Sequence, residues 1–151
     1  METLFASHNE KVYRLTVGSV DDIADAIRDE HLETIPAGPF DFWLTPSLHP
    51  GHRKLNHAAT KILLGASTFT GRSVPLMRGR VVVTARDQWG HLRSLTDEEI
   101  TWLADFVYGL PHLADWVVER RLERAGRRDR RRSRAERATA NRRQLHGLPP
   151  K

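Results

Sequence analysis

The residues best equipped for chemistry in this chain are arginines, and they crowd one end. Arg120, Arg121, Arg124, Arg127, Arg128, Arg130, Arg131, Arg132, Arg134, Arg137, Arg142 and Arg143 all lie between Glu119 and Lys151. That stretch holds 12 Arg and one Lys against four acids, a net of +9, whereas residues 1–118 hold 11 Lys and Arg against 15 acids, a net of −4. A guanidinium stays charged at any physiological pH, pairs phosphate through two parallel hydrogen bonds and stacks on bases. The asymmetry is the usual footprint of a polyanion partner, so the first expectation is nucleic acid, RNA or DNA. Binding of that kind releases counterions and weakens steeply with salt. Arginine-rich segments also bind RNA, folding as they do so.

If the arm is helical, Arg124, Arg127, Arg128, Arg131 and Arg134 share a broad face. Ala, Glu and Arg favour a helix, and Gly126 is expected to interrupt it. The competing reading is a solvated tail, because like charges repel and no apolar stripe runs through it. An acidic protein surface, or the acidic body itself, is a further target.

Other residues invite the same weighing. Arg53, Lys54, Arg78 and Arg80 extend the arm's phosphate track if the segments carrying them meet in space; separately they are ordinary solvated cations. His49, His52 and His57 have the chemistry of zinc or nickel ligands, with His91 or Asp41 as a fourth, but His49 and His52 sit on a Pro/Gly loop. They are weak candidates, and no metal or cofactor is expected. Asn56, just ahead of a helical stretch, reads as an N-cap. Trp102 and Trp116 fall on helical apolar stripes and are expected in the core, Trp43 on a strand. Trp89, in a turn, is the best candidate of the four for exposure, able there to stack on a base or dock a protein; the competing reading is a turn tryptophan half-packed on the sheet.

Enzyme signatures are absent. Gly65–Ser73 has two Gly and several hydroxyls but not the Gly-Lys-Ser/Thr of a phosphate-binding loop. There is no Gly-x-Ser-x-Gly elbow. Without cysteine there are no disulfides, no thiol catalysis and no Cys-based zinc site. A metal-dependent activity built on the histidine loop is the one enzymatic alternative. No apolar run approaches the ~18 residues of a membrane span, and the N-terminus lacks a signal-peptide layout. A soluble, cytoplasmic protein is expected.

The elements that must position these residues read as a 1–118 globular domain followed by a 119–151 arm. Thr3–Ala6 and Lys11–Val17 suggest a hairpin. Ser19 caps a short helix to about Glu30, with Asp21 and Asp22 at its positive end. His31–Pro36 and Phe40–Thr45 read as strands around a Pro36–Pro39 turn. Leu55–Leu64 has helical spacing, stopped by Gly65. Val81–Thr84 is continuously apolar, as in a central strand buried on both faces. Thr96 with Glu99 forms a capping box, opening a helix that Gly109 ends. Pro111 suits the start of another, with Leu113, Trp116, Val117 and Leu122 as its buried stripe. The expected class is α+β, about ββα-ββ-α-β-αα. A small mixed sheet packs with helices, and a basic, helix-prone arm follows.

Leu55-Asn56-His57-Ala58-Ala59-Thr60, Arg78-Gly79-Arg80-Val81-Val82-Val83-Thr84 and Ser94-Leu95-Thr96-Asp97-Glu98-Glu99 together resemble a family of small domains of unknown function found in phages and actinobacteria. The likeness spans about residues 1–108. Position 80 is Arg where the family often has Asp, and the arginine arm lies outside the shared pattern. The resemblance implies a fold and a mobile-element origin but brings no activity. The expected function is a small non-enzymatic nucleic-acid-binding accessory protein that grips phosphate through its arm. The alternative is a phage-type interaction module that binds a host protein.

Overall fold

The computed structural model describes residues 1–109 and 111–146. Its strands are β1 (Glu2–Ala6), β2 (Val12–Thr16), β3 (Glu33–Ala37), β4 (Phe40–Leu44), β5 (Val81–Arg86) and β6 (Leu92–Arg93). Its helices are α1 (Val20–Ile27), α2 (His57–Ala66), α3 (Asp97–Tyr108) and α4 (Leu113–His146), and a 3₁₀ turn covers Pro50–His52. The class is α+β, as the sequence implied. The strands run in the order β2-β1-β5-β4-β3, with β6 beside the far end of β5. Every described pairing is antiparallel, so the sheet is not mixed.

β5 takes the centre because Val81, Val82, Val83, Thr84 and Ala85 are all buried. Its side chains alternate between two cores. Val81, Val83 and Ala85 face the larger one, with Leu4, Phe42, Ile62, Leu63, Leu103, Val118 and Leu122 from β1, β4, α2, α3 and α4. Val82 faces the smaller one, with Val17 and the α1 residues Ile23 and Ile27. The sheet is therefore a middle layer, with α1 on one face and the other three helices on the opposite face. β6 was invisible in the sequence, since two residues carry no periodicity. It forms because the Asp87–Gly90 turn folds the chain back onto β5.

The helix starts follow their expected chemistry. Ser19 with Asp22 and Thr96 with Glu99 both make reciprocal capping boxes. Asn56 caps α2, accepting from the Ala59 N–H at 2.9 Å, and it does more than cap. Its buried side-chain amide donates to the carbonyls of Ala6 and Gly79, each at 2.8 Å. One side chain thus ties α2 to β1 and to the entry of β5. Gly65 does not stop α2. The helix runs one residue further, to Ala66, and the missing Cβ of Gly65 lets the Phe106 ring of α3 settle against its backbone; a Cβ there would fall 2.2 Å from the ring.

Several expectations about the last helices need correcting. α4 begins at Leu113, two residues after Pro111, and Leu113 itself is 91% exposed. Trp116 is 61% exposed and Trp102 46%, so neither is core. Trp102 lies flat against Phe40 and meets Phe106 edge-on. The residues that fix α4 to the body are Val118 and Leu122, at 0% and 1% exposure. Gly126 does not interrupt α4, which packs there beside Leu55. Trp89 is the exposed turn tryptophan the sequence suggested, and Trp43 sits half-buried on β4 with its indole N–H on the Thr84 hydroxyl at 2.9 Å.

Candidate nucleic-acid interface

α4 spans 34 residues, about 50 Å at the usual rise. Its first half is fastened to the body at successive turns. Val118 and Leu122 fill the core, Lys61 pairs Glu119 at 2.6 Å, and Arg78 pairs Asp129 at 2.7 Å. Gly71 allows close passage, since a Cβ there would come within 2.8 Å of the Ala114 carbonyl oxygen. The compositional step at 118/119 therefore falls inside a continuous helix, and body contacts persist to Asp129. Packing of the first half supplies the costly helix nucleus. The second half then needs only propagation, which its Ala and Arg residues favour. Glu123–Arg127 at 3.7 Å and Arg132–Glu136 at 3.2 Å add one-turn ion pairs.

The arginines divide by what they touch. Arg121 is structural: its Nη1 donates to the carbonyls of Gly71 and Val74, each at 2.9 Å. Arg120 lies over the Trp116 ring, 4.8 Å from its centroid. Arg127 and Arg132 have the carboxylate partners just named. Arg124, Arg128, Arg130, Arg131, Arg134, Arg137, Arg142 and Arg143 are exposed and have no ion-pair partner among the described residues. At 3.6 residues per turn, Arg124, Arg127, Arg128, Arg131 and Arg134 do fall within one broad arc. Every residue from Arg130 to Gln144 is exposed, so this cationic surface is fully open to a partner.

The two basic segments of the body do meet. Leu55 bridges to Arg78, the Gly79 N–H donates to the Lys54 carbonyl at 2.8 Å, and Arg78 Nη1 donates to the Arg53 carbonyl at 2.6 Å. Together they wall a groove of about 610 Å³ beneath α4, whose opposite side carries Gly126, Asp129, Arg130, Arg132, Ser133 and Glu136. The track is weaker than its composition suggests. Arg78 spends its charge on Asp129, and the Arg53 side chain turns to the Leu48 carbonyl. Arg80 does not line the groove; it points toward the Ala26 carbonyl at 3.3 Å. Burial first, then neighbouring Arg28, lowers the Arg80 pKa. Burial, then Lys54 and Arg80, lowers that of His8. The cations that remain beside the arm are Lys54 and the Arg53 guanidinium.

The histidines part company. His49 and His52 lie with ring centroids 6.0 Å apart, and His52 Nε2 is 3.7 Å from Asp29 Oδ2. His57 faces Glu10 at 3.7 Å and Glu119 at 4.0 Å. Asp41 is engaged with Arg86 at 2.9 Å and His91 with Asp87 at 3.5 Å. Among the described residues, no three His, Asp or Glu side chains are placed to hold a metal ion. Nothing in the sequence flagged Asp29, which gathers His31, His52 and the Thr45 hydroxyl. A backbone hydrogen bond from His31, then the Thr45 hydroxyl, holds its carboxyl below the ordinary range. No helix is long and apolar enough to cross a membrane among the described residues.

No family model, curated protein or solved structure matches this chain.

Proposed function

We propose that this protein is a non-enzymatic nucleic-acid-binding accessory protein that grips phosphate through α4. The observation that carries the reading is the run from Arg130 to Gln144, helical, exposed at every position and bearing six arginines that have no ion-pair partner among the described residues. Its helix is already formed, so binding does not have to meet the ordering cost that a disordered tail would. The body anchors the helix and offers Lys54 and Arg53 beside it. A phage or mobile-element origin, implied by the family resemblance, fits an accessory role of this kind.

The test replaces Arg127, Arg128, Arg130, Arg131 and Arg132 with Ala, which keeps helix propensity and removes charge. Affinity should fall for every nucleic-acid sequence alike, and the slope of log K against log salt should flatten by about 0.9 for each phosphate left without its arginine. Full affinity in that variant would refute the reading.

A second reading has one observation in its favour. Leu113, Trp116 and Tyr108, at 91, 61 and 60% exposure, leave apolar surface open around the α3–α4 connection. A host protein docking there would be lost on Trp116→Ala and untouched by the five-alanine variant.

A further inference from the structure

We infer that the projecting half of α4 enters the major groove of B-form duplex DNA; this rests on the nucleic-acid reading and specifies its partner. Three observations carry it. The first is shape. Beyond Asp129 the chain continues as one helical element of about 25 Å, exposed at every position from Arg130 to Gln144. A helix with side chains is about 10–12 Å across, and the B-DNA major groove, about 12 Å wide, admits one. The A-form RNA major groove is too deep and narrow to be read in that way.

The second is the distribution of charge around the helix. A helix lying on a polyanion from outside needs cations along one face; a helix in a groove needs them on both flanks, where the two phosphate strands run. With residues about 100° apart, Arg130, Arg134 and Arg137 line one flank. Arg128 and Arg143 line the opposite one, with Arg132, paired to Glu136, between them. Both acids of this segment fall between the flanks on the body-side seam: Asp129 on Arg78, and Glu136 on the groove wall. The outward arc between the flanks carries Arg131, Ala138 and Arg142 and no acid. Arginine there matches the guanine edge, and the small Ala138 lets the backbone come close.

The third is the absence of a stacking platform. From Val117 to Gln144 the chain has no Phe, Tyr or Trp, whereas grooves for single strands depend on aromatic side chains that stack the bases.

The test uses the full chain and four probes of one sequence: a DNA duplex, an RNA duplex, single-stranded DNA, and a DNA duplex whose cytosines carry glucosylated 5-hydroxymethyl groups that fill the major groove. The unmodified DNA duplex should bind at least about tenfold more tightly than each of the others, the size of one or two good base-edge contacts. Ala135→Pro, which keeps every charge but breaks the helix beyond its attachment to the body, should erase that preference. Equal binding of the RNA duplex, or indifference to the glucosyl groups, would overturn the groove inference while leaving phosphate binding intact. A failure to bind any probe would remove both.

Discussion

Cutting the chain at its compositional boundary should unfold much of what looks like an independent body. Residues 119–130 carry Leu122, 1% exposed in the main core, whose burial stabilises by about 1.5–3 kcal/mol. They also carry Arg121, whose two bonds to the Gly71 and Val74 carbonyls contribute about 1 kcal/mol each after allowance for partial exposure. The Lys61–Glu119 and Arg78–Asp129 pairs are partly exposed, so they add at most about 1 kcal/mol together. The sum is about 5 kcal/mol, a large share of the roughly 5–15 kcal/mol that holds a domain together. A chain of residues 1–118 should therefore be largely unfolded or have a sharply lower urea midpoint. A chain of residues 1–130 loses Arg131 to Gln144, all of them exposed, and should stay within about 1 kcal/mol of the full protein. Urea titrations of the three chains, followed by circular dichroism and Trp fluorescence, make the comparison. Equal midpoints for 1–118 and the full chain would refute the claim that α4 is built into the core.

Other consequences are as direct. Asn56→Ala strands three buried backbone groups and should cost about 3–5 kcal/mol in urea unfolding, against the ~1 kcal/mol of a simple cap. Asn56→Asp keeps the cap but sets a carboxylate against two carbonyls, so it should be at least as damaging; a simple cap would tolerate it. Glu99 makes two bonds to Arg93, at 2.8 and 2.6 Å, and this pairing lowers its pKa. Its stabilisation is complete above the ordinary glutamate range and is lost as pH falls through the lowered value. Glu99→Gln retains the cap to Thr96, so it should cost about 1 kcal/mol near neutrality and nothing in strong acid, as thermal melts across pH would show. Gly126→Ala, whose Cβ would find ordinary 3.9 Å neighbours, should stabilise by about 0.5–1 kcal/mol. Gly65→Ala, 2.2 Å from the Phe106 ring, should cost about 1–3 kcal/mol. Thermal melts of both glycine variants check the pair.

Much of the fold was legible because its signals are local. The N-cap at Ser19, the capping box at Thr96 and the unbroken apolar run of β5 depend on neighbours in sequence. What stayed hidden depends on residues far apart. Gly65 looks like a stop until Phe106 is placed over it, and Gly126 like a break until Leu55 lies beside it. Trp102 and Trp116 sit on helical stripes, yet α3 and α4 turn other residues inward. The arm's cations were plain in the sequence, but which of them are spent internally was not. Arg121 and Arg78 look like their neighbours and differ only in the carbonyls and carboxylate that the fold brings to them. The histidine cluster failed as a unit because His57 starts a helix that leaves the loop bearing His49 and His52.

The most direct test of the central claim is the affinity of the full chain for a short DNA or RNA duplex as salt rises from about 50 to about 200 mM. With six or more of the unpaired arginines on phosphates, affinity should fall about a thousandfold or more over that range. Absence of binding at the lowest salt, or an affinity that does not change with salt, would contradict it.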